Sequence, residues 1–102
     1  MGRKKYKARI YPKAEKDLLE IKTYFENVLR TSPNRLFRKF YKAIEQLETN
    51  PFIRPLLNDP HLKHCGYRMF PVEKFLVFYK IAGDEIQIHR FLYGKRNYYS
   101  IL

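Results

Sequence analysis

Residues 75–93, which read FLVFYKIAGDEIQIHRFLY, decide the fold of this chain. Two runs rich in aromatic and β-branched residues, Phe75–Ile81 and Glu85–Tyr93, flank the dipeptide Gly83-Asp84. Such a dipeptide between two such runs predicts a two-residue hairpin, with Gly83 at the first central position of a type II′ turn. The stretch is therefore predicted to form two neighbouring antiparallel strands.

Two further strands and two helices are predicted around this hairpin. A strand over Gly66–Val72, ended or bulged near Pro71, precedes it, and alternating apolar and basic residues predict another over Lys5–Tyr11. Helices are predicted over Pro12–Leu29 and Pro33–Thr49, where apolar residues recur every three or four positions. The stripes are Ala14, Leu18, Ile21, Phe25 and Val28 in the first helix and Phe37, Phe40, Ile44 and Leu47 in the second.

The order of these elements predicts the fold class. A short connection joins the helices, which favours an antiparallel helix hairpin, and the proline-rich segment Asn50–Cys65 is predicted to be a loop. The class is therefore α+β: an N-terminal strand, the helix hairpin and a three-stranded antiparallel meander, with the helices packed on one face of the sheet. A chain of 102 residues has the size of one ordinary domain, so residues 1–102 are expected to form a single domain.

Strict alternation along the last strand predicts which of its residues share a face. One set is Ile86, Ile88, Arg90 and Leu92, and the other is Gln87, His89, Phe91 and Tyr93. Large apolar side chains occur in both sets, so the sequence leaves open which set faces the helices.

The charge balance points to an anionic partner. The chain has 21 Lys and Arg against 10 Asp and Glu, a formal net charge of +11. Such a small domain attracts nucleic acid, an acidic protein segment or, less readily, a membrane surface. A basic surface that serves only solubility is the plain alternative. No apolar run approaches the ~18 residues of a membrane-spanning helix, and no apolar signal segment is visible. The single cysteine excludes an internal disulfide. Together, these observations favour the cytoplasm.

Basic and aromatic residues crowd together at the end of the last strand and in the tail. They are Arg90, Tyr93, Lys95, Arg96, Tyr98 and Tyr99. Because Arg and Lys hold phosphates and Tyr rings stack on bases, the stretch favours a single-stranded nucleic-acid surface. A solvated basic tail whose tyrosines pack back on the sheet is the alternative.

Metal-free RNA cleavage is the enzymatic chemistry that these residue types allow. It needs a base, an acid and cations around the phosphate. His89 can transfer a proton near neutral pH, and a tyrosine can do so if adjacent arginines lower its pKa. For His89 taken alone, a mid-strand packing or surface role is the plainer alternative. The motifs of nucleotide and metal cofactors are absent, and no acidic pair in the sheet half suits a two-metal nuclease, so neither metal nor cofactor is expected.

Four segments of the chain resemble the RelE/ParE superfamily of bacterial toxins. They are YKARIY (6–11), PKAEKDLLEI (12–21), GYRMFPVEKFLVFYKI (66–81) and IQIHRFLYGKRNYYSIL (86–102). These toxins belong to type II toxin–antitoxin modules and share a fold in which a helix hairpin packs on a small antiparallel sheet. The resemblance implies two possible activities. RelE-like members cleave mRNA in the ribosomal A site without a metal, whereas ParE-like members inhibit DNA gyrase.

The favoured expectation is a ribosome-dependent mRNA endoribonuclease that arrests translation. The resemblance then implies that Arg68 and Arg96 hold the phosphate, and that Tyr98 and His89 handle protons. The expected RNA- or target-binding residues are Arg90, Tyr93, Lys95, Tyr99 and Lys74. A gyrase inhibitor without nuclease chemistry is the first alternative, and a non-catalytic nucleic-acid or protein binding module is the second. The sequence has Phe70 and Phe75 where RelE-like toxins commonly carry basic residues, which favours the ParE-like alternative.

The resemblance also implies partners. A cognate antitoxin with an acidic segment is expected, because such a segment orders on binding and is attracted by the positive charge. The target is expected to be either the ribosome with its mRNA or DNA gyrase.

Overall fold

The structure, a computed structural model, describes residues 6–102. In chain order the strands and helices are β1 (Lys7–Ile10), α1 (Pro12–Asn27), α2 (Asn34–Thr49), α3 (Pro60–His64), β2 (Arg68–Val72), β3 (Phe75–Ala82) and β4 (Glu85–Tyr93). Single turns of 3₁₀ helix cover Pro51–Ile53 and Tyr98–Ser100. The predicted α+β class and the meander are confirmed. Lys5, the first residue of the predicted N-terminal strand, lies outside the described part of the chain.

The four strands form one sheet in the order β1-β4-β3-β2. β2, β3 and β4 are antiparallel neighbours, as predicted, but β1 pairs in parallel with β4, with Lys7 opposite Glu85 and Ile10 opposite Ile88. A parallel neighbour requires a long crossover, which the two long helices provide. The sheet is therefore mixed, and the N-terminal strand shares a ladder with the last strand.

Both tight turns of the meander contain a residue with a positive φ angle. Gly83 has a φ of 63° in the predicted hairpin turn. The turn between β2 and β3 places Glu73 at a φ of 56°, which is uncommon for a residue with a side chain and was not predicted. The Glu73 carboxylate accepts a hydrogen bond from Lys39 and lies 3.5 Å from Arg35, so α2 holds this turn. The Lys39 hydrogen bond lowers the pKa of Glu73.

The main core lies between the helix pair and one face of the sheet. Its buried strand residues are Val72, Val77, Tyr79, Ile86, Ile88 and Phe91, and its buried α2 residues are Leu36, Phe40, Ala43, Ile44 and Leu47. The predicted helix stripes are largely correct. Val28 is an exception, because α1 ends at Asn27 and leaves this side chain 62% exposed.

The predicted face assignment of β4 is wrong for its second half. Ile88 and Phe91 both belong to the main core, although strict alternation places residues three apart on opposite faces. A β-bulge explains the difference, because Phe78 pairs with Arg90 while the next residue, Tyr79, pairs with Ile88. His89 is the extra residue, and the alternation reverses after it.

The segment predicted as a loop contains a short helix. Asp59 caps α3, since its Oδ1 atom accepts a hydrogen bond from the Leu62 backbone N–H at 3.0 Å, and Pro60 occupies the first turn. This Asp-Pro pair is a recognised helix-start signal. None of the helices within residues 6–102 is both long and apolar enough to cross a membrane.

Candidate functional site

The two faces of the sheet separate the predicted catalytic residues. Directly paired strand residues point to the same face, and neighbours along a strand point to opposite faces. Tyr79 is part of the main core, so its strand neighbours Phe78 and Lys80 lie on the face away from the helix pair. We call this second face the outer face.

Arg68 lies on the helix side of the sheet. It pairs with Tyr79, and its guanidinium donates a hydrogen bond to the backbone oxygen of Arg54. The same guanidinium lies 5.1 Å from the centre of the Phe52 ring, and the Tyr79 hydroxyl donates to the Pro51 oxygen at 2.8 Å. Arg68 therefore anchors the 3₁₀ turn that follows α2.

Tyr98 and His89 belong to the outer face. The Tyr98 ring lies 4.8 Å from the Phe78 ring and 4.6 Å from the Tyr99 ring, so the tail packs back on the sheet. A hydrogen bond with Tyr99, followed by burial, raises the pKa of Tyr98. Proton transfer by a tyrosine was made conditional on a pKa lowered by neighbouring arginines, and at Tyr98 the pKa is raised instead.

Arg90 forms a buried ion pair with α1. Its Nε and Nη2 atoms donate to the two Asp17 carboxylate oxygens at 2.8 and 2.9 Å, and Asp17 is only 4% exposed. Asp17 also accepts a hydrogen bond from the Phe91 backbone N–H at 3.0 Å. β1 does not bond this N–H, because it pairs with β4 only as far as Ile88. The Asp17 hydrogen bond raises the pKa of Arg90. This engaged guanidinium serves the fold rather than presenting an unpaired charge to a target.

Sequence reasoning missed Asp17, although a signal was present. Asp17 follows Ala14 by three positions and precedes Ile21 by four, so it lies on the apolar side of α1. A carboxylate on a core-facing stripe requires a partner. The arginine near the end of β4 was available for that role.

Arg96 borders a groove between the second half of α1 and the β3–β4 pair. We call it the α1 groove; its volume is about 690 Å³. Its apolar lining includes Ile21, Tyr24, Phe25, Phe75, Phe91 and Tyr93. Lys74 and Arg96 supply positive charge at its strand side, and Glu20 lies on its helix side. Lys74 and Tyr93, which were predicted to bind the target, thus meet Arg96, which was predicted to hold the phosphate, at one surface. Lys95 and Tyr99 are exposed but do not line it.

A second, smaller cavity of about 370 Å³ surrounds His89. The Tyr11 and Tyr67 rings lie 4.7 and 5.7 Å from the imidazole. Burial lowers the pKa of His89, and the Lys80 and Lys13 ammonium groups lower it further. Within residues 6–102, no group of three or more His, Cys, Asp or Glu side chains could hold a metal ion.

Acidification is expected to destabilise the chain through His89. Above pH ~6.5 the imidazole is neutral in both the folded and the unfolded chain. As the pH falls below that value, the unfolded chain gains the proton first, so the free energy of unfolding decreases until the lowered folded pKa is reached. Urea unfolding of wild type and His89→Gln at pH values on either side of ~6.5 measures the effect.

The control for this effect is His64→Gln, which removes an exposed histidine of α3. His64→Gln should keep the wild-type loss of stability on acidification, and His89→Gln should reduce it. An equal loss in wild type and His89→Gln would contradict the role of His89.

The chain is similar to known proteins in both sequence and fold. Residues 8–98 match the family model described as the ParE toxin of the type II toxin–antitoxin system, parDE. A solved structure of the chromosomal ParDE toxin–antitoxin system from P. aeruginosa matches with a TM-score of 0.68 and 20% identity. The match covers 87% of this chain and 96% of that one, and at such low identity it concerns the fold. No curated protein sequence matches significantly.

Proposed function

The chain belongs to the ParE toxin family of type II toxin–antitoxin systems, and on that premise we propose that it inhibits DNA gyrase by binding, without nuclease chemistry. The observation that carries this proposal is the separation of Arg68 from Tyr98 and His89 by the sheet. It reverses the preference of the sequence analysis, which favoured mRNA cleavage.

Nuclease chemistry requires its groups to converge. A base or acid must lie within about 3 Å of the proton that it moves, and cations must surround the same phosphate. Arg68 is on the helix side, while Tyr98 packs on Phe78 on the outer face. Arg96 borders the α1 groove at the Phe75 end of β3. Arg68 pairs with Tyr79, which is four residues, or roughly 13 Å, farther along that strand. These positions favour a binding toxin.

A supercoiling assay combined with a translation extract tests the proposed target. We expect the purified chain to inhibit DNA gyrase and to leave a translated message intact by primer extension. Tyr98→Phe should inhibit equally well, because it removes only a hydroxyl and keeps the ring that packs on Phe78. Codon-linked cleavage that Tyr98→Phe abolishes, with gyrase unaffected, would instead support the RelE-like alternative.

A toxin of a ParDE system has a cognate antitoxin as partner. We propose that the α1 groove binds this antitoxin. Tyr24 and Leu29 are about half exposed at the groove. Their apolar surface is in contact with solvent, and a partner that covered it would bury it. Lys74 and Arg96 beside this apolar lining suit a helix with an apolar face and an acidic flank. The net charge of +11 would accelerate the encounter with such an acidic segment.

The place of action follows from the proposed target. Gyrase acts on DNA in the bacterial cytoplasm, so we propose that the toxin acts there too. None of the proposed interactions needs a metal or an organic cofactor.

A further inference from the structure

The cavity around His89 on the outer face has a wall of aromatic rings. The Tyr11 and His89 rings are tilted by 33° at 4.7 Å, and the Tyr67 ring meets the imidazole edge-on at 5.7 Å. All three side chains are partly buried, and Leu102 closes another side of the cavity. The volume of about 370 Å³ lies within the usual range of ~300–1,000 Å³ for small-ligand sites. Such a wall suits a flat ring that stacks.

Hydrogen bonds to Glu85 and Gln87, which lie beside the cavity, determine which ring nitrogen of His89 can accept a hydrogen bond. Glu85 accepts from the Tyr11 hydroxyl at 3.2 Å and from Gln87 Nε2 at 3.1 Å. Gln87 therefore directs its Oε1 atom at His89 Nε2, 3.1 Å away, and the imidazole carries its proton on Nε2. The Nδ1 atom of a neutral His89 is then an acceptor, which matches the amino groups of nucleic-acid bases rather than a carboxylate.

Positive charge surrounds the aromatic wall. The Lys80 ammonium lies 4.4 Å from the centre of the Tyr67 ring, and the Arg9 guanidinium lies 5.0 Å from the centre of the Tyr11 ring. Lys13 lines the cavity directly. Against these three cations stands the Glu85 carboxylate, while Arg90 is already paired with Asp17. The excess of positive charge suits a phosphate.

We propose that this cavity binds one nucleotide of a single-stranded nucleic acid. The base stacks on the Tyr67 ring, with the His89 imidazole at its edge, and the adjoining phosphates lie near Lys13 and Lys80. A duplex binds more weakly, because its bases are already stacked and paired. The site lies on the outer face, away from the α1 groove, and it rests neither on gyrase inhibition nor on antitoxin binding. If gyrase inhibition or antitoxin binding is disproved, the nucleotide site is unaffected, and disproof of the nucleotide site affects neither of them.

Fluorescence anisotropy with the full chain tests the proposal. The probes are labelled single strands of about 12 nucleotides, one of DNA and one of RNA, together with the matching duplex. We expect either single strand to bind more tightly than the duplex. Tyr67→Leu should weaken single-strand binding by about fivefold or more, the loss typical of one stacked base. The affinity ratio of the DNA and RNA strands identifies the preferred chemistry.

The lysine of the cavity has a matched control on α2. Lys13→Ser should weaken binding and reduce the slope of log affinity against log salt by about 0.7. Lys42→Ser removes an exposed lysine on a different surface and should leave the affinity unchanged. Equal losses from the two substitutions, equal binding of the duplex, or equally strong competition by polyglutamate would overturn the proposal.

A measurement on the wild-type chain avoids any failure of a variant to fold. Titration with the unlabelled single strand should shift the imidazole NMR signals of His89. The signals of His61 and His64, which are exposed on α3, serve as internal controls and should remain in place. Shifts of equal size at all three histidines, or none at His89, would overturn the proposal.

Discussion

Replacing Asp17 with alanine is expected to lower the free energy of unfolding by about 3–5 kcal/mol. The carboxylate accepts two hydrogen bonds from the Arg90 guanidinium and one from the Phe91 backbone N–H. Its loss leaves a largely buried guanidinium and a buried N–H without their partner. Because small domains are typically stable by only about 5–15 kcal/mol, this single change removes a large share of the total. Urea unfolding followed by circular dichroism measures the loss.

Two further variants separate the buried pair from a general effect of charge. Glu26→Ala removes an exposed carboxylate from the same helix and should change stability by less than about 0.5 kcal/mol. The double variant Asp17→Leu/Arg90→Met should be more stable than Asp17→Ala, since it removes both charges and leaves neither unpaired. An Asp17→Ala protein as stable as Glu26→Ala would show that the ion pair contributes little.

Tyr24→Glu is expected to weaken antitoxin binding by about 30-fold or more, the loss of a typical aromatic hot spot. Tyr24 lines the α1 groove and is 52% exposed, so the substitution leaves the core intact. A carboxylate at this position disfavours both an apolar contact and an approaching acidic segment. Titration calorimetry with the antitoxin of the same module measures the affinity, and growth rescue on co-expression provides a second readout.

Tyr41→Glu is the matched control for the groove. Tyr41 is a 51% exposed tyrosine on α2 that does not line the groove, and it receives the same substitution. Its antitoxin affinity should stay within about threefold of wild type, as expected for a residue outside an interface. Equal losses for the two variants would place the antitoxin elsewhere or reflect only the change in net charge.

Local patterns predicted the elements of the fold, but not all of their neighbours. The Gly83-Asp84 turn, the helix stripes and the meander follow from short-range preferences, and the structure contains each of them. The parallel pairing of β1 with β4 joins segments more than 70 residues apart, and no local signal in the sequence specifies it. The positive φ of Glu73 escaped prediction, because its turn lacks a glycine and α2 holds it through Lys39.

Prediction of the candidate site suffered more strongly from the same lack of local signals for long-range contacts. The basic and aromatic stretch was found, and Tyr93 and Arg96 do meet at the α1 groove. The sequence alone did not show that Arg68 and Tyr98 lie on opposite faces of the sheet. That assignment depends on the pairing of Arg68 with Tyr79. The cavity around His89 was missed because Tyr11 and Tyr67 come from segments far apart in the chain.

The extra residue in β4 makes the number of residues in this strand as informative as their identity. Ile86 and Ile88 face the core before the bulge, whereas Phe91 faces it afterwards. Deleting the bulge residue His89 would let Arg90 follow Ile88 in a regular strand, with Arg90 still opposite Phe78 and Phe91 still opposite Val77. A homologue one residue shorter at this point can therefore keep the same inward-facing residues without the bulge. A single-residue alignment gap there marks the loss of the bulge and of its side chain, and it leaves the faces of the flanking residues unchanged.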